Sequence, residues 1–291
     1  MTRPAAQGAA VRKAVPLQAR LRLSLVAVHH RQPQLLRRML LSLASQAAVF
    51  EVIIVNVSAD VDLEIPSDLP FEIRVVTTPN RGYADGCNRG FAVARGEYVA
   101  ASNVDLEFGP SVLSKAMDYL DLHPEAAIVA PWLLNPDGTP QHSARRFYTW
   151  PVAVWARSPL RPLFQDAEFV RRHLMIDEPF AGSREVDWVT GALMFIRREA
   201  LADPKRLFDD RYCLYMEDVD LCWDMWRRGW KVVQLQDLEV LHRYSRASRH
   251  VFSRAGFEHG ASFIKFVWKH GGLPRRRAQG ARTTSALAAV S

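Results

Sequence analysis

The chain has 291 residues, 48% of them apolar and 24% charged, with 38 Lys and Arg against 31 Asp and Glu. This balance excludes disordered, collagenous and coiled-coil classes, and the length suits one large α/β domain or two small ones, each with a sizeable core. The net charge of +7 points to an anionic partner, a phosphate-bearing ligand or an acidic membrane surface, while dispersed basic residues without a groove-reading motif argue against nucleic acid.

Residues 1–20 are rich in Ala, Gln and Arg without periodicity and read as a mobile arm. Leu21–Val28 reads as a buried strand. After Pro33, the spacing of Leu35, Leu36, Met39, Leu40 and Leu43 predicts a helix. Glu51–Val57 and Phe71–Thr77 read as strands. Between Gly82 and Ala94 the small residues Ala84, Cys87 and Gly90 recur at helical spacing, predicting a helix packed closely on a neighbour. Glu97–Ser102 is a fourth strand, and Pro110 opens a helix with Val112, Leu113, Ala116, Met117 and Leu120 on one face. Strands alternating with helices in this way predict right-handed βαβ units: an α/β fold with a mostly parallel central sheet and helices on both faces.

The second half is less regular. Ala127–Pro131 reads as a strand and Asn135-Pro136-Asp137-Gly138 as a turn. Residues 144–183 read as a long loop with short helices, and Val186–Arg197 as a long strand interrupted by Gly191. Val219, Cys222, Met225 and Trp226 mark a helix that Gly229 ends. Lys231–Leu235 and Glu239–His242 read as short strands, and a last helix is expected around Phe257–Trp268. The expected organisation is an arm over 1–20, one α/β domain over 21–250, an amphipathic helix over 251–272 and a disordered basic tail over 273–291. Cys87, Cys213 and Cys222 are an odd, widely spaced set. Reduced thiols in a cytoplasmic protein are therefore expected rather than a disulfide framework or zinc knuckle. No apolar run reaches the roughly 18 residues of a membrane span, and the first residues lack a secretory signal's apolar stretch.

Three features can carry chemistry. Asp105, in Asn103-Val104-Asp105 at the carboxyl end of the fourth strand, can hold Mg²⁺ or Mn²⁺ against a diphosphate, or can simply cap a turn. Glu217 and Asp218 open a helix, where a carboxylate serves either the helix dipole or proton abstraction from a hydroxyl. His242 ends a strand, as a structural group or as a ligand.

Their order along the chain is more telling. The string Asn80-Arg81-Gly82-Tyr83-Ala84-Asp85-Gly86-Cys87-Asn88-Arg89-Gly90 is followed by Asn103-Val104-Asp105 and by Leu134-Asn135-Pro136-Asp137-Gly138. Val186-Asp187-Trp188-Val189-Thr190-Gly191-Ala192, then Tyr215-Met216-Glu217-Asp218-Val219-Asp220-Leu221-Cys222, then His242 complete the set. This succession closely resembles the family 2 inverting glycosyltransferases, and within them the bacterial rhamnosyltransferase-type members, from about Leu21 to Gly271. The resemblance implies a GT-A fold, with a Rossmann-like nucleotide-binding half and an acceptor half. It implies transfer of a sugar from a dTDP-, UDP- or GDP-linked donor to a hydroxyl of a glycan or lipid-linked acceptor in bacterial surface polysaccharide synthesis.

Position by position, the resemblance makes Asp218 the catalytic base with Glu217 beside it. Asp105 and His242 become metal ligands, with Asn103 at the diphosphate. Asn80, Gly82 and Asn88 flank the nucleotide pocket, and Trp188, Thr190, Gly191 and Ala192 wall the acceptor or sugar site. Two departures fall on further nucleotide positions: His29 begins His29-His30-Arg31 where the family has an aromatic–Asn pair, and Asn56-Val57 replaces Asp-Asn. The missing carboxylate leaves the donor base open.

The C-terminal stretch places Phe257, Phe263, Phe266, Val267 and Trp268 near Arg254, Lys265, Lys269 and the Arg275–Arg277 run. Such a helix either packs on the catalytic domain or rests on the anionic inner face of the cytoplasmic membrane, and the two are compatible. Of the rival functions, a sugar nucleotidyltransferase needs a Gly-rich basic loop that residues 29–33 do not supply. A degenerate sugar-nucleotide-binding or scaffold protein of a polysaccharide assembly complex is the non-enzymatic alternative.

Overall fold

β1 (Leu23–His29) carries Leu23, Leu25 and Ala27 on one side and Val26 on the other, all fully buried. A strand apolar on both sides belongs inside a sheet covered on both faces. The structure, a computed structural model, describes residues 20–158, 161–243 and 254–274. The expected arm over 1–20, all but its last residue, the stretch 244–253 and the tail with its Arg275–Arg277 run lie outside the described residues.

From β1 the chain runs through α1 (Pro33–Leu43), β2 (Phe50–Asn56), β3 (Glu72–Thr77), α2 (Tyr83–Val93), β4 (Tyr98–Asn103), β5 (Leu106–Phe108), α3 (Val112–Leu122) and β6 (Ala126–Leu134). It continues through β7 (Ala144–Arg145), α4 (Trp150–Arg157), α5 (Glu168–His173), β8 (Ser183–Glu185), β9 (Trp188–Val189), β10 (Leu193–Arg197), α6 (Glu217–Arg227), β11 (Lys231–His242) and α7 (Arg254–His270). The sheet order is β3-β2-β1-β4-β10-β6-β11-β5, with β8 also on β11. β3, β2, β1 and β4 are parallel, β10 runs antiparallel between β4 and β6, and β6 and β11 are parallel. The sheet is therefore mixed, with the parallel half that the βαβ pattern predicts.

One face carries α1 and α3 through Leu36, Met39, Leu40, Leu113 and Met117. The other carries α2 and α6, together with Phe263 and Phe266 of α7. The close helix contact expected from the small residues of α2 is made on β1: a Cβ at Gly90 would stand 2.3 Å from Val26 Cγ1.

Two expectations are corrected, and two strands are added. Val186–Arg197 is not one strand; it breaks at Gly191, so that β9 pairs with β7 in a separate ribbon while β10 enters the main sheet. Conversely, Lys231–Leu235 and Glu239–His242 form the single strand β11, with an irregular register between Leu235 and Glu239. β5 and β8 are too short to show periodicity and owe their existence to pairing with β11.

The topology locates a crevice. β1 continues to β2 on one side and meets β4 on the other, so the strand order switches direction between β1 and β4. Ligands of open α/β sheets bind outside the carboxyl ends of strands at such a point.

Candidate active site

Register brings the motifs to that crevice. Val28 of β1 pairs with Asn103 of β4, and Leu193 of β10 pairs with Ser102. Gly191-Ala192 therefore lies beside Asn103, whose N–H donates to the Ala192 carbonyl at 2.9 Å. β11 pairs with β5 so that His242 faces Leu106, next to Asp105.

The acidic pair sits at the start of α6. Tyr215 and Met216, just before it, have φ of 68° and 72°. Left-handed backbone at non-glycine residues costs on the order of 1–3 kcal/mol each and persists where surroundings enforce it. Here Met216 is buried, the Ser262 hydroxyl of α7 donates to the Leu214 carbonyl at 2.9 Å, and the Tyr215 ring meets His259 edge-on at 5.0 Å. This sharp entry turns Glu217 inward and leaves Asp218 half-buried. Asp218 Oδ2 accepts the Gly191 N–H at 3.0 Å, and Oδ1 accepts the Val219 N–H at 2.8 Å. The Tyr83 hydroxyl in turn donates to the Gly191 carbonyl at 2.6 Å.

Burial pushes the Asp218 carboxyl above its ordinary range, against the two backbone N–H groups and the Arg145 guanidinium that favour its charged form. Burial, then the charge of Asp218, pushes Glu217 well above the carboxylate range. Glu217 Oε2 is buried without a hydrogen-bond partner among the described residues. The two neighbours thus differ: Asp218 is oriented and reachable, while Glu217 is held inside and favours its neutral form.

At the other end of the crevice, Asp105 Oδ1 faces His242 Nε2 at 3.2 Å. Both side chains are nearly buried, and Asp105 Oδ1 has no aligned hydrogen bond among the described residues. The Asp105 carboxylate suits Mg²⁺ or Mn²⁺ as a donor, and the His242 imidazole suits a transition-metal ion such as Mn²⁺ better than Mg²⁺. Among the described residues no group of three or more His, Cys, Asp or Glu could hold a metal. Asp105 by itself fits the Mg²⁺ pattern in which one or two carboxylates are completed by water and substrate phosphate.

The other expected site residues divide. Trp188, Thr190 and Ala192 flank Gly191 along the chain; Trp188 is buried, donates from Nε1 to the Arg146 carbonyl at 2.9 Å and lies under the Arg145 guanidinium at 5.0 Å. His29 and Asn56 end adjacent parallel strands at the crevice but turn inward. His29 Nε2 accepts the Gln32 N–H at 3.1 Å, and its Nδ1 lies 3.3 Å from Asn56 Oδ1, which also accepts the Ser58 N–H at 3.0 Å. Burial lowers the His29 pKa.

Asn88 ties α2 to the segment before α6, donating to the Phe208 carbonyl at 2.8 Å and accepting from the Leu207 and Phe208 N–H groups. Asn80 caps its own turn by accepting the Gly82 N–H at 3.1 Å. Gly82 has φ +109°, and a Cβ there would lie 2.0 Å from the Cys213 carbonyl oxygen, so the Asn80–Gly82 turn sits directly on the segment leading into α6.

Arg145, Tyr83 and Gln141 also meet the candidate site residues, at Asp218, Gly191 and His242 respectively. In the sequence Arg145 falls in a stretch without clear period, Tyr83 stands only inside a motif string, and Gln141 follows the turn motif by three residues.

Residues 24–201 match the model of Glycosyl transferase family 2. The chain is 28% identical over 273 residues to the N-acetylglucosaminyl-diphospho-decaprenol L-rhamnosyltransferase of Mycobacterium tuberculosis, covering 86% of this chain and 85% of that one. Among solved structures it is similar to GalNAc-T7 with UDP, GalNAc and Mn²⁺, with a TM-score of 0.60 and 13% identity over 86% of this chain and 49% of that one. It is also similar to the mannosyltransferase PcManGT of Pyrobaculum calidifontis with GDP-Man and Mn²⁺, with a TM-score of 0.54 and 16% identity over 86% of this chain and 65% of that one. The chain thus spans about half to two thirds of these two structural relatives. With the motif order, the switch-point crevice and these matches in agreement, the chain belongs to glycosyl transferase family 2 and is a glycosyltransferase of GT-A fold.

Proposed function

We propose that this enzyme transfers a sugar, a deoxyhexose such as rhamnose, from a nucleoside diphosphate donor to a hydroxyl of a glycan or lipid-linked acceptor, inverting the anomeric carbon, in bacterial surface polysaccharide synthesis. The observation that carries the reading is Asp218, a half-buried carboxylate fixed by two backbone N–H groups beside Gly191 at the crevice. An acceptor hydroxyl has a pKa far above 7 and needs a base as it attacks. Its oxygen bonds to the anomeric carbon on the face opposite the diphosphate, the bond from that carbon to the diphosphate oxygen breaks, and the hydroxyl proton passes to Asp218. A pKa raised by burial makes Asp218 a better proton acceptor, and such general-base catalysis is typically worth about 10²–10⁴-fold. Glu217, behind it, keeps a second charge out of the site.

Asp105 and His242 would hold a divalent Mg²⁺ or Mn²⁺ ion, which when bound supplies charge neutralisation to the departing diphosphate. Asn103 ties this end of the crevice to the Gly191 end through its bond to Ala192. The rhamnosyl donor and prenyl-diphosphate acceptor in the name of the mycobacterial relative support the deoxyhexose and lipid-linked reading.

α7 supports contact with a membrane surface. Its inner side is anchored: Phe266 is buried, Lys269 bridges Asp209 and Asp220 at 2.8 and 2.6 Å, and His270 Nε2 lies 2.7 Å from Asp220 Oδ1. Its outer side carries Phe257, Ile264 and Trp268, 68%, 69% and 85% exposed. Spacings of seven and four residues place these three on one stripe. Such a stripe with basic neighbours suits an anionic leaflet holding a lipid-linked acceptor. No helix among the described residues is long and apolar enough to cross a membrane.

The test is donor binding by thermal shift with dTDP-, UDP- and GDP-sugars, with and without Mn²⁺ or Mg²⁺, in wild type and Asp218→Asn. A donor at a hundredfold excess over Kd stabilises by about 2.7 kcal/mol. The expected result is a metal-dependent shift for one nucleotide class in both proteins, with transfer lost in the variant. Donor binding without transfer in the wild type would favour the scaffold reading, and wild-type turnover by Asp218→Asn would remove the base assignment.

A further inference from the structure

The Asn135-Pro136-Asp137-Gly138 turn has no part in the transfer step described above, yet it sits behind the Asp105–His242 pair. Gln141, on the strand-like return from this turn, lies with its Oε1 2.8 Å from His242 Nδ1. The orientation of its amide is determined by its other end. Gln141 Nε2 is 2.9 Å from Asn135 Oδ1 and 2.9 Å from the His242 carbonyl oxygen, both acceptors, so that end must be the NH₂ group. Gln141 Oε1 is then an acceptor, and the hydrogen of the contact belongs to His242 Nδ1.

The same polarity continues outward from the site. Asn135 Nδ2 donates to Thr139 Oγ1 at 2.9 Å, and that hydroxyl donates to Asp137 Oδ1 at 2.6 Å. The backbone holds the turn closed through Asn135 N–H to the Thr139 carbonyl at 2.8 Å, Gly138 N–H to the Asn135 carbonyl at 2.9 Å, and Gln141 N–H to the Leu133 carbonyl at 2.8 Å. From His242 to Asp137 each group donates to the next, and the chain ends on a carboxylate.

We propose that Gln141, braced by the Asn135–Thr139 turn, is a positioning residue that fixes His242 as the Nδ1–H tautomer and so presents the Nε2 lone pair toward Asp105. A neutral imidazole with its proton on Nδ1 has its only lone pair on Nε2. Nε2 and Asp105 Oδ1 then face one another at 3.2 Å, a spacing bridged either by a proton on Nε2 or by a cation that the two share. Imidazole ligands of metals characteristically donate their other N–H to a carbonyl or carboxylate, and loss of that partner costs about 10–100-fold in metal affinity or activity. The consequence for metal binding rests on the reading of Asp105 and His242 as a cation site; the tautomer assignment does not.

The experiment has two readouts besides activity. Long-range ¹H–¹⁵N spectra of the histidine rings, with the His242 signals identified from His242→Gln, report its tautomer directly, and Mn²⁺ titration followed by electron paramagnetic resonance reports affinity. Gln141→Leu keeps the side-chain bulk but removes the acceptor, Gln141→Glu keeps an acceptor, and Asn135→Ala removes the brace while leaving Gln141 in place. Thermal unfolding checks that each variant folds.

The expected result is an Nδ1–H ring in the wild type and in Gln141→Glu, with a shift toward Nε2–H and about 10–100-fold weaker Mn²⁺ binding in Gln141→Leu. Asn135→Ala should fall between. An Nε2–H ring in the wild type, or unchanged His242 ring signals in both Gln141→Leu and Asn135→Ala, would overturn the proposal. A Gln141-dependent tautomer in a wild type that takes up no Mn²⁺ would uphold the positioning role and reject the cation reading.

Discussion

The Gly191 backbone N–H holds the Asp218 carboxylate at 3.0 Å across 27 positions of sequence. The same peptide segment is held from the far side by the Tyr83 hydroxyl, 2.6 Å from the Gly191 carbonyl oxygen. The Asp218 carboxylate, the proposed base, is thus aimed by a short relay from α2 through the break between β9 and β10, and not by α6 alone.

Tyr83→Phe tests that relay. It leaves the Gly191 carbonyl without its donor and loosens the segment that orients Asp218, with no direct loss of a substrate contact. The expected outcome is a fall in kcat of about tenfold, equivalent to about 1.4 kcal/mol, with little change in the KM for donor. Steady-state kinetics decide; a change confined to KM would place Tyr83 at the donor instead.

Gly82→Ala should disrupt the turn beneath α6. The position has φ +109°, and the added methyl would meet the Cys213 carbonyl at 2.0 Å, where backbone rather than a flexible side chain must move. A loss of at least about 2 kcal/mol is expected, which for a domain of this size lowers Tm by roughly 4–8 °C. Calorimetry on the purified variant checks this.

Glu217→Gln should stabilise the protein in a pH-dependent way. Burial raises the folded-state pKa of Glu217, whereas the unfolded value is about 4.3. Below that value both states bind the proton, and the charge-related difference between wild type and variant vanishes. As pH rises from there to the folded-state value, the unfolded wild type releases a proton that the folded state keeps. Wild type then loses up to about 1.4 kcal/mol per pH unit that the glutamine variant retains. The Tm difference between the two should widen from about pH 4 upward, and a constant difference across that range would contradict the assignment.

Replacing Phe257, Ile264 and Trp268 together by serine should abolish co-sedimentation with vesicles of mixed anionic and zwitterionic lipid, while transfer to a water-soluble acceptor continues. The three side chains are exposed on the outer stripe of α7, so little folding stability is at stake. Binding to vesicles undiminished by the triple substitution would move the membrane contact elsewhere.

Much of this was legible in the residues. The parallel half of the sheet follows from short apolar strands alternating with amphipathic helices, because those periodicities are local. Gly90 on Val26 follows from small residues at helical spacing, and Asp105 and Asp218 stand out because their motifs recur in a known order. In Val186–Arg197 the interruption at Gly191 is legible, but that its two pieces pair in different sheets depends on two distant partners, β7 and β4. β11 was divided for the opposite reason: polar residues around Asp237 interrupt the periodicity, yet pairing with β6 resumes beyond them.

By itself the sequence determined the elements, their order and the residue types able to do the chemistry, since these depend on neighbours a few positions apart. Only the tertiary structure decided which of two adjacent carboxylates faces the crevice, that His29 and Asn56 turn inward, and that Gln141 meets His242 across 101 positions. Those outcomes depend on strand register and on which buried polar atom finds a partner, and such pairings are settled only when distant segments pack together and exclude water.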